Sequence, residues 1–331
     1  MKPRRDEAFS LGDRSSGVCS GEDVLDRTRY LYGPTMRYFE AVARAGSVRG
    51  AARELNVASS AVNRQILSLE DALGVSLFER VGRGLRLSHA GEIMLAHVRR
   101  TLGDYAATFS ELDALKGLRR GIVRIASVES FSEVILPQLV RSFRNDFKGI
   151  SVEVIVSGSD EVSSIVSQGS VDIGFTYEPP EMDRLQISFR RDMPIGCIMH
   201  PDHQLSKRES LTLGDCLAYP VALPRSGLSL RARLDATMRG CDYPQGSHVE
   251  SNSLSFMKAL ARSGEYVAFQ TRLGVEQELA EGTLVFRDLT DEPLKRDRFA
   301  VVTSNHRGLA LAPAMFFDHA VEMLKKQIRD E

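Results

Sequence analysis

Residues 36–94 read MRYFEAVARAGSVRGAARELNVASSAVNRQILSLEDALGVSLFERVGRGLRLSHAGEIM, and the spacing of apolar side chains in this stretch decides the fold of the amino-terminal domain. Pro34–Thr35 opens a helix in which Met36, Phe39 and Val42 recur every three residues, the repeat of one helical face. Ala45–Gly46 ends that helix, and Ser47 is placed to cap the next, because a hydroxyl before the first turn accepts from free amides. The second helix carries Ala51, Ala52 and Leu55 and stops at Asn56; a third starts around Ala58–Ser60 and turns Val62, Ile66 and Leu69 inward. Small side chains at 51 and 52 let the two helices cross closely, and two short helices joined by a tight turn form a helix-turn-helix. Leu77–Phe78 then lead into Arg80, Arg83 and Arg86 around Gly82 and Gly84, with Leu85 and Leu87 alternating. That pattern predicts a glycine-tipped hairpin, a wing with arginines along one side.

The reading extends outward in both directions. Met1–Tyr32 is polar and charged, has no apolar run of a signal peptide, and is expected to be a disordered extension reaching residue 33. Residues 34–92 form the winged helix-turn-helix. Ser88 caps a long helix over 88–117, in which Leu95, Val98, Leu102, Tyr105, Phe109 and Leu112 are spaced alternately by three and four. A stripe that narrow predicts a seam against a second copy of the chain. After a linker at Leu118–Gly121, short apolar strands alternate with helical patterns: Ile122–Ala126, Val152–Val156, Val171–Phe175, Met193–Met199, Val221–Leu223, Val267–Phe269 and Phe299–Thr303, closed by a helix over Ala310–Gln327. This rhythm predicts mostly parallel sheets, and about 200 residues of it suit an α/β domain of two lobes with a cleft over 121–331.

Charge and cysteine content narrow the function. The net charge is −1, but Thr35–Arg100 holds ten Arg, no Lys and six acids, a locally basic segment suited to phosphate and base contacts. The four cysteines are scattered without a C-x-x-C, which fits a reducing, cytoplasmic setting and argues against a disulfide scaffold or a zinc site. No apolar run reaches 18 residues, so no membrane span is expected. His200-x-x-His203 has a metal-like spacing but no third ligand in sight. No Walker loop, G-x-S-x-G or G-x-G-x-x-G follows a strand. No catalytic residue, metal or cofactor is therefore expected.

The quoted stretch resembles the LysR-type transcriptional regulator family. Phe39, Gly46–Ser47, Ala51–Ala52, Arg64–Ile66, Leu69–Glu70, Leu77–Arg80 and Leu87–Gly91 stand in the family's order, with Ser88 in place of Thr. The likeness continues more loosely through Leu136–Pro137, Val171–Gly174, His200–Pro201 and Gly282–Leu284, and so covers almost everything from Met36 onward. Ala58, Ser59 and Asn63 depart from the family's usual residues on the helix that would read an operator. The resemblance implies a cytoplasmic, sequence-specific regulator with a periplasmic-binding-protein-like carboxy-terminal domain. Its partners would be double-stranded DNA, a small-molecule effector between the lobes, and further copies of itself as a homodimer or dimer of dimers.

Candidate sites follow. Ser59, Ser60, Asn63 and Arg64 fall on the outer face of the third helix, where Arg64 suits guanine or phosphate and Asn63 suits adenine. Arg83 and Arg86 on the wing suit the minor groove or phosphates. For the effector, polar residues at strand ends are the candidates, because ligands sit at the carboxyl ends of parallel strands. These are Ser127 and Ser130, Gly158 and Ser159, Arg225 and Ser226, and Asn252 and Ser253. An inward Arg225 would suit a carboxylate effector. The competing reading is a solute-binding or enzymatic α/β protein whose amino-terminal helices serve only assembly.

Overall fold

A computed structural model describes residues 33–82, 84–115, 121–181, 184–226, 228–239, 248–295, 297–305 and 308–327. The extension before residue 33, the candidate Arg83 and the linker at 118–120 lie outside the described residues. Helices α1 (Pro34–Ala45), α2 (Val48–Glu54) and α3 (Ser59–Leu73) are followed by the antiparallel hairpin β1 (Phe78–Val81) and β2 (Gly84–Leu87), then by the long helix α4 (His89–Leu115). Phe39, Val42, Ala51, Val62 and Leu77 are fully buried between them, as the three- and four-residue spacing requires.

Local hydrogen bonds set these turns. The Gly50 amide donates to Ser47 Oγ at 3.1 Å, and the Gly91 amide donates to Ser88 Oγ at 3.0 Å. Leu85 N donates to Gly46 O at 2.8 Å and ties the wing to the end of α1. Helix α4 lies so close to the wing that a methyl at Gly91 would sit 2.1 Å from Leu77 O. We therefore expect Gly91→Ala to destabilise the domain by about 1–3 kcal/mol through overpacking, seen as a lower urea midpoint. An unchanged midpoint would mean that helix and wing separate freely.

Helix α4 departs from the expected seam. Leu95 and Val98 are buried in the core of their own winged domain, and Leu102 packs against that core. Leu95 and Val98 are thus not available to a second copy, whereas Leu102 is only partly buried. The spacing marked an apolar stripe correctly, but the wing and α1 lie within reach and cover its first half. Tyr105 is buried with its ring centroid 4.6 Å from Phe109, while Leu112 is 46% exposed. Arg99 Nη1 donates to Ser170 Oγ at 2.6 Å, linking the helix to the carboxy-terminal region.

That region begins with β3 (Gly121–Ser127), α5 (Glu129–Glu133), α6 (Ile135–Asp146), β4 (Ile150–Val156), α7 (Ser159–Ser167), β5 (Ile173–Tyr177) and β6 (Leu185–Met193). Pro194 alone separates β6 from β7 (Ile195–Met199), where a second lobe starts. The second lobe adds β8 (Ser210–Leu211), α8 (Leu213–Leu217), β9 (Val221–Pro224), α9 (Ser229–Met238) and β10 (His248–Ser251). It is completed by α10 (Leu254–Arg262), β11 (Val267–Thr271), α11 (Glu276–Glu281) and β12 (Val285–Leu289). The chain then returns through β13 (Asp297–Ser304) and ends the fold with α12 (Leu311–Gln327). The first sheet has the order β4-β3-β5-β13-β6 and the second β10-β9-β11-β7-β12-β8.

The sheets are mixed, with five parallel and four antiparallel pairings, so they are less parallel than expected. Strand β13 runs antiparallel to both β5 and β6, and β7 runs antiparallel to β11 and β12. A chain that leaves a lobe and comes back must enter its sheet from the opposite end, and these are the strands at the crossing. Asp297 of β13 pairs with Met193 of β6, so the two crossing segments lie side by side. Phe131, Phe175 and Phe299 stack at the centre of the first lobe, with centroids 4.6 and 4.9 Å apart. In the second lobe alternate residues of one strand feed opposite faces, with Cys197 and Phe269 on one side and Ile198 and Ala268 on the other.

Candidate functional site

On α3, Ser59, Ser60, Asn63 and Arg64 are exposed while Val62 and Ile66 are buried. The polar set therefore shares the outward face, the orientation a recognition helix needs. The Glu70 carboxylate accepts from Leu77 N at 2.6 Å and Phe78 N at 3.1 Å, fixing the wing relative to that helix. Arg86 is exposed on β2, opposite Glu79.

Two cavities open between the lobes. The inner one, about 40 Å³, is lined by Ser130, Ser159 and Tyr177 from the first lobe, Gln270 and Thr271 from the second, and Asp297 at the crossing. The outer one, about 470 Å³, is lined by Gly158, Ser226, Asn252 and Ser253, among others. Six of the eight candidate effector residues thus reach one cleft. Ser127 and Arg225 line neither cavity. Ser127 is buried and donates to Val128 O at 3.1 Å, within its own strand end. Arg225 is exposed; its backbone amide pairs with Ser251 O at 3.0 Å, and its guanidinium lines neither cavity as a partner for a carboxylate.

Residues not foreseen from the sequence join the lobes. Glu129 of the first lobe accepts from Leu254 N at 2.8 Å, Ser255 N at 3.0 Å and Ser253 Oγ at 3.1 Å, so its carboxylate occupies the amino terminus of α10. Ser253 is also the cap of that helix, accepting from Phe256 N at 3.3 Å. Lys258 of α10 bonds Glu133 of the first lobe, and its Nζ lies 2.9 Å from Glu278 Oε1 and 2.7 Å from Gly274 O. Tyr177 Oη and Thr271 Oγ1 are 2.8 Å apart across the cleft. A Cβ on Gly274 would lie 2.8 Å from Ser130 O, so the lobes touch backbone to backbone there.

Burial pushes the Tyr177 phenol above its usual range, against the hydrogen bonds from Thr271 and Ser130. Asp297 is buried at the crossing, and burial raises its carboxyl to about 7 although Arg233 opposes the shift. Arg233 Nε lies 3.3 Å from Asp297 Oδ1 without hydrogen-bonding geometry, and the same guanidinium holds Glu178. The two spaced histidines are occupied locally: His203 Nδ1 accepts from Leu205 N and His200 Nδ1 from Asp202 N, both at 3.2 Å.

The missed cleft residues had a readable signal in part. Tyr177 and Thr271 end strands, by the same rule that found Ser159 and Ser253. Asp297 starts one, and only the antiparallel run of β13 brings a strand's beginning to that edge.

A winged helix-turn-helix joined by a long helix to a two-lobed α/β domain with a polar cleft defines a class of DNA-binding regulators that carry their own small-molecule sensor. Residues 35–92 match the family model described as bacterial regulatory helix-turn-helix protein, lysR family, and residues 116–325 match the LysR substrate binding domain. The chain is 30% identical over 282 residues to the RuBisCO operon transcriptional regulator of Allochromatium vinosum, covering 84% of this chain and 91% of that protein. It is 29% identical over 280 residues to the HTH-type transcriptional regulator CbbR of Rhodospirillum rubrum, covering 85% and 93%. A full-length OxyR variant from Pseudomonas aeruginosa shares the fold, with a TM-score of 0.68 at 18% identity over 88% of this chain and 93% of that one. The chain belongs to the LysR family of bacterial transcription regulators. Among the described residues no helix is long and apolar enough to cross a membrane.

Proposed function

We propose that the protein is a cytoplasmic, non-enzymatic regulator in which residues 34–92 read an operator, the 88–117 helix joins copies of the chain, and residues 121–331 take a small-molecule effector. The observation that carries this reading is the outward set Ser59, Ser60, Asn63 and Arg64 on a helix whose opposite face is buried. Arg86 supports it from the wing. The exposed Leu112 and its neighbour Phe109 supply the part of α4 left for a second copy, and paired recognition helices suit paired half-sites. Effector binding at Ser130, Ser159, Ser226 and Asn252 would act on the angle between lobes, and α4 would carry that change to the DNA.

The test is retardation of duplex DNA from the region upstream of the protein's own gene, with affinity falling steeply as salt rises. Arg64→Ala should weaken operator binding by about 1–3 kcal/mol, roughly 5- to 150-fold, with folding intact. Wild-type operator affinity in that variant would remove α3 from the reading surface. A solute binder with an assembly domain would take ligand and ignore DNA at every salt concentration.

A further inference from the structure

The inner and outer cavities share Glu129 and Leu228, so they form one continuous cleft. Four carboxylates line it: Glu129, Asp160, Glu161 and Asp297. Among the described lining residues none is Lys, Arg or His. The Arg233 guanidinium, which lines neither cavity, lies beside Asp297 and is shared with Glu178. Four helices begin at the cleft, α5, α7, α9 and α10, and a helix start is ordinarily the place where an anion binds. Here each start already meets a carboxylate of the chain: Glu129 in the first turn of α5 and on the α10 amides, Asp160 and Glu161 in the first turn of α7, and Asp297, which accepts from Ser229 Oγ at 3.4 Å, beside the start of α9.

A second observation points to what does bind. Gln270 lines the inner cavity, is 2% exposed, and its Nε2 has no hydrogen-bond partner. A buried N–H without an acceptor is costly, which makes this group a docking point for a ligand oxygen. The inner recess, about 40 Å³, admits groups of ammonium size, and the adjoining outer cavity, about 470 Å³, is of the size that encloses a small molecule. The apolar stems of Val128, Leu228 and Leu254 cover the rest of such a ligand. On the reading of this cleft as the effector site, we infer that the effector is a small protonated amine that also carries a hydrogen-bond acceptor, and not a free carboxylate or phosphate. The ammonium lies toward Asp297, and the acceptor faces Gln270 Nε2.

The test is thermal unfolding of the full chain, at a pH above the Asp297 pKa, with ethanolamine and aminopropanol as amine probes and succinate and inorganic phosphate as anions. At least one amine should raise the midpoint by about 2–5 °C near saturation, and neither anion should move it. Asp297→Asn should abolish the amine shift, and the volume-conserving Gln270→Met should reduce it. An anion shift without an amine shift overturns the inference and makes Glu129 a displaceable stand-in for an anionic effector. So does a failure of both amines, or an amine shift that survives both substitutions. DNA retardation by the ligand-free protein, run in parallel, keeps the two questions apart: its loss counts against the regulator reading, whereas the midpoints speak only to ligand class.

Discussion

Lys258→Ala lowers the unfolding free energy by about 3–5 kcal/mol, the cost of removing one partner from a buried ionic cluster. The Lys258 side chain is 8% exposed and sits between Glu133 of the first lobe and Glu278 of the second. Burial pushes its ammonium pKa down, but the two carboxylates outweigh burial and hold it above the ordinary lysine value. Without the ammonium, two poorly solvated carboxylates face each other and Gly274 O loses its donor. The effect is read as a urea midpoint shift of the full chain. A triple variant with Lys258→Met, Glu133→Gln and Glu278→Gln should recover most of the loss, because an uncharged cluster of similar volume leaves no charge uncompensated. A loss in Lys258→Ala below about 0.5 kcal/mol would class the cluster with exposed ion pairs. The lobes would then be held by Glu129 on the α10 amides and by Tyr177 on Thr271.

How far the sequence could be read follows the range of the interactions involved. The winged domain was legible because its determinants are local: a face repeating every three or four residues, Ser47 and Ser88 as caps, and Gly46 and Gly82 at turns. The same spacing rule found the stripe from Leu95 to Leu112 but not its partner, since a stripe carries no label for what covers it. In the effector region the apolar runs of buried strands were visible. Strand β6, whose burial alternates along LQISFRRDM, was read only at its last residue, because charged outward positions break the apolar run. The short strands β8 and β10 left no run at all. Six candidate effector residues reach the cleft because helix starts and strand ends gather at one edge of each sheet. Glu129, Lys258 and Glu133 were illegible, since they meet partners across the lobes at separations of 122 to 126 residues. Arg225 was misjudged because a strand end fixes where a residue lies and not where its side chain turns.

Asp297→Asn makes the protein more stable above neutrality, by about 2–4 kcal/mol at pH 8, and leaves it nearly unchanged at pH 4. Burial at the lobe crossing raises the Asp297 carboxyl from an ordinary 3.8 to about 7, with Glu178 adding to the rise and Arg233 opposing it. The folded protein therefore keeps a proton that the unfolded chain releases. The stabilisation from that proton is complete below about pH 4 and disappears as pH rises through about 7. Asparagine fills the same space, keeps an acceptor for Ser229 Oγ, which lies 3.4 Å from Asp297 Oδ2, and carries no charge to desolvate. Arg233 retains Glu178 as its partner, so the exchange strands no cation. The position matters because Asp297 pairs with Met193 where both chain segments pass between the lobes. Ionising it places a charge at the pivot about which the cleft would open. The measurement is the unfolding free energy of both proteins at several pH values from about 4 to 8. The two curves should coincide at the acid end and diverge steadily toward the alkaline end. Parallel curves would mean that Asp297 ionises near its ordinary value and that Arg233 compensates its burial in full.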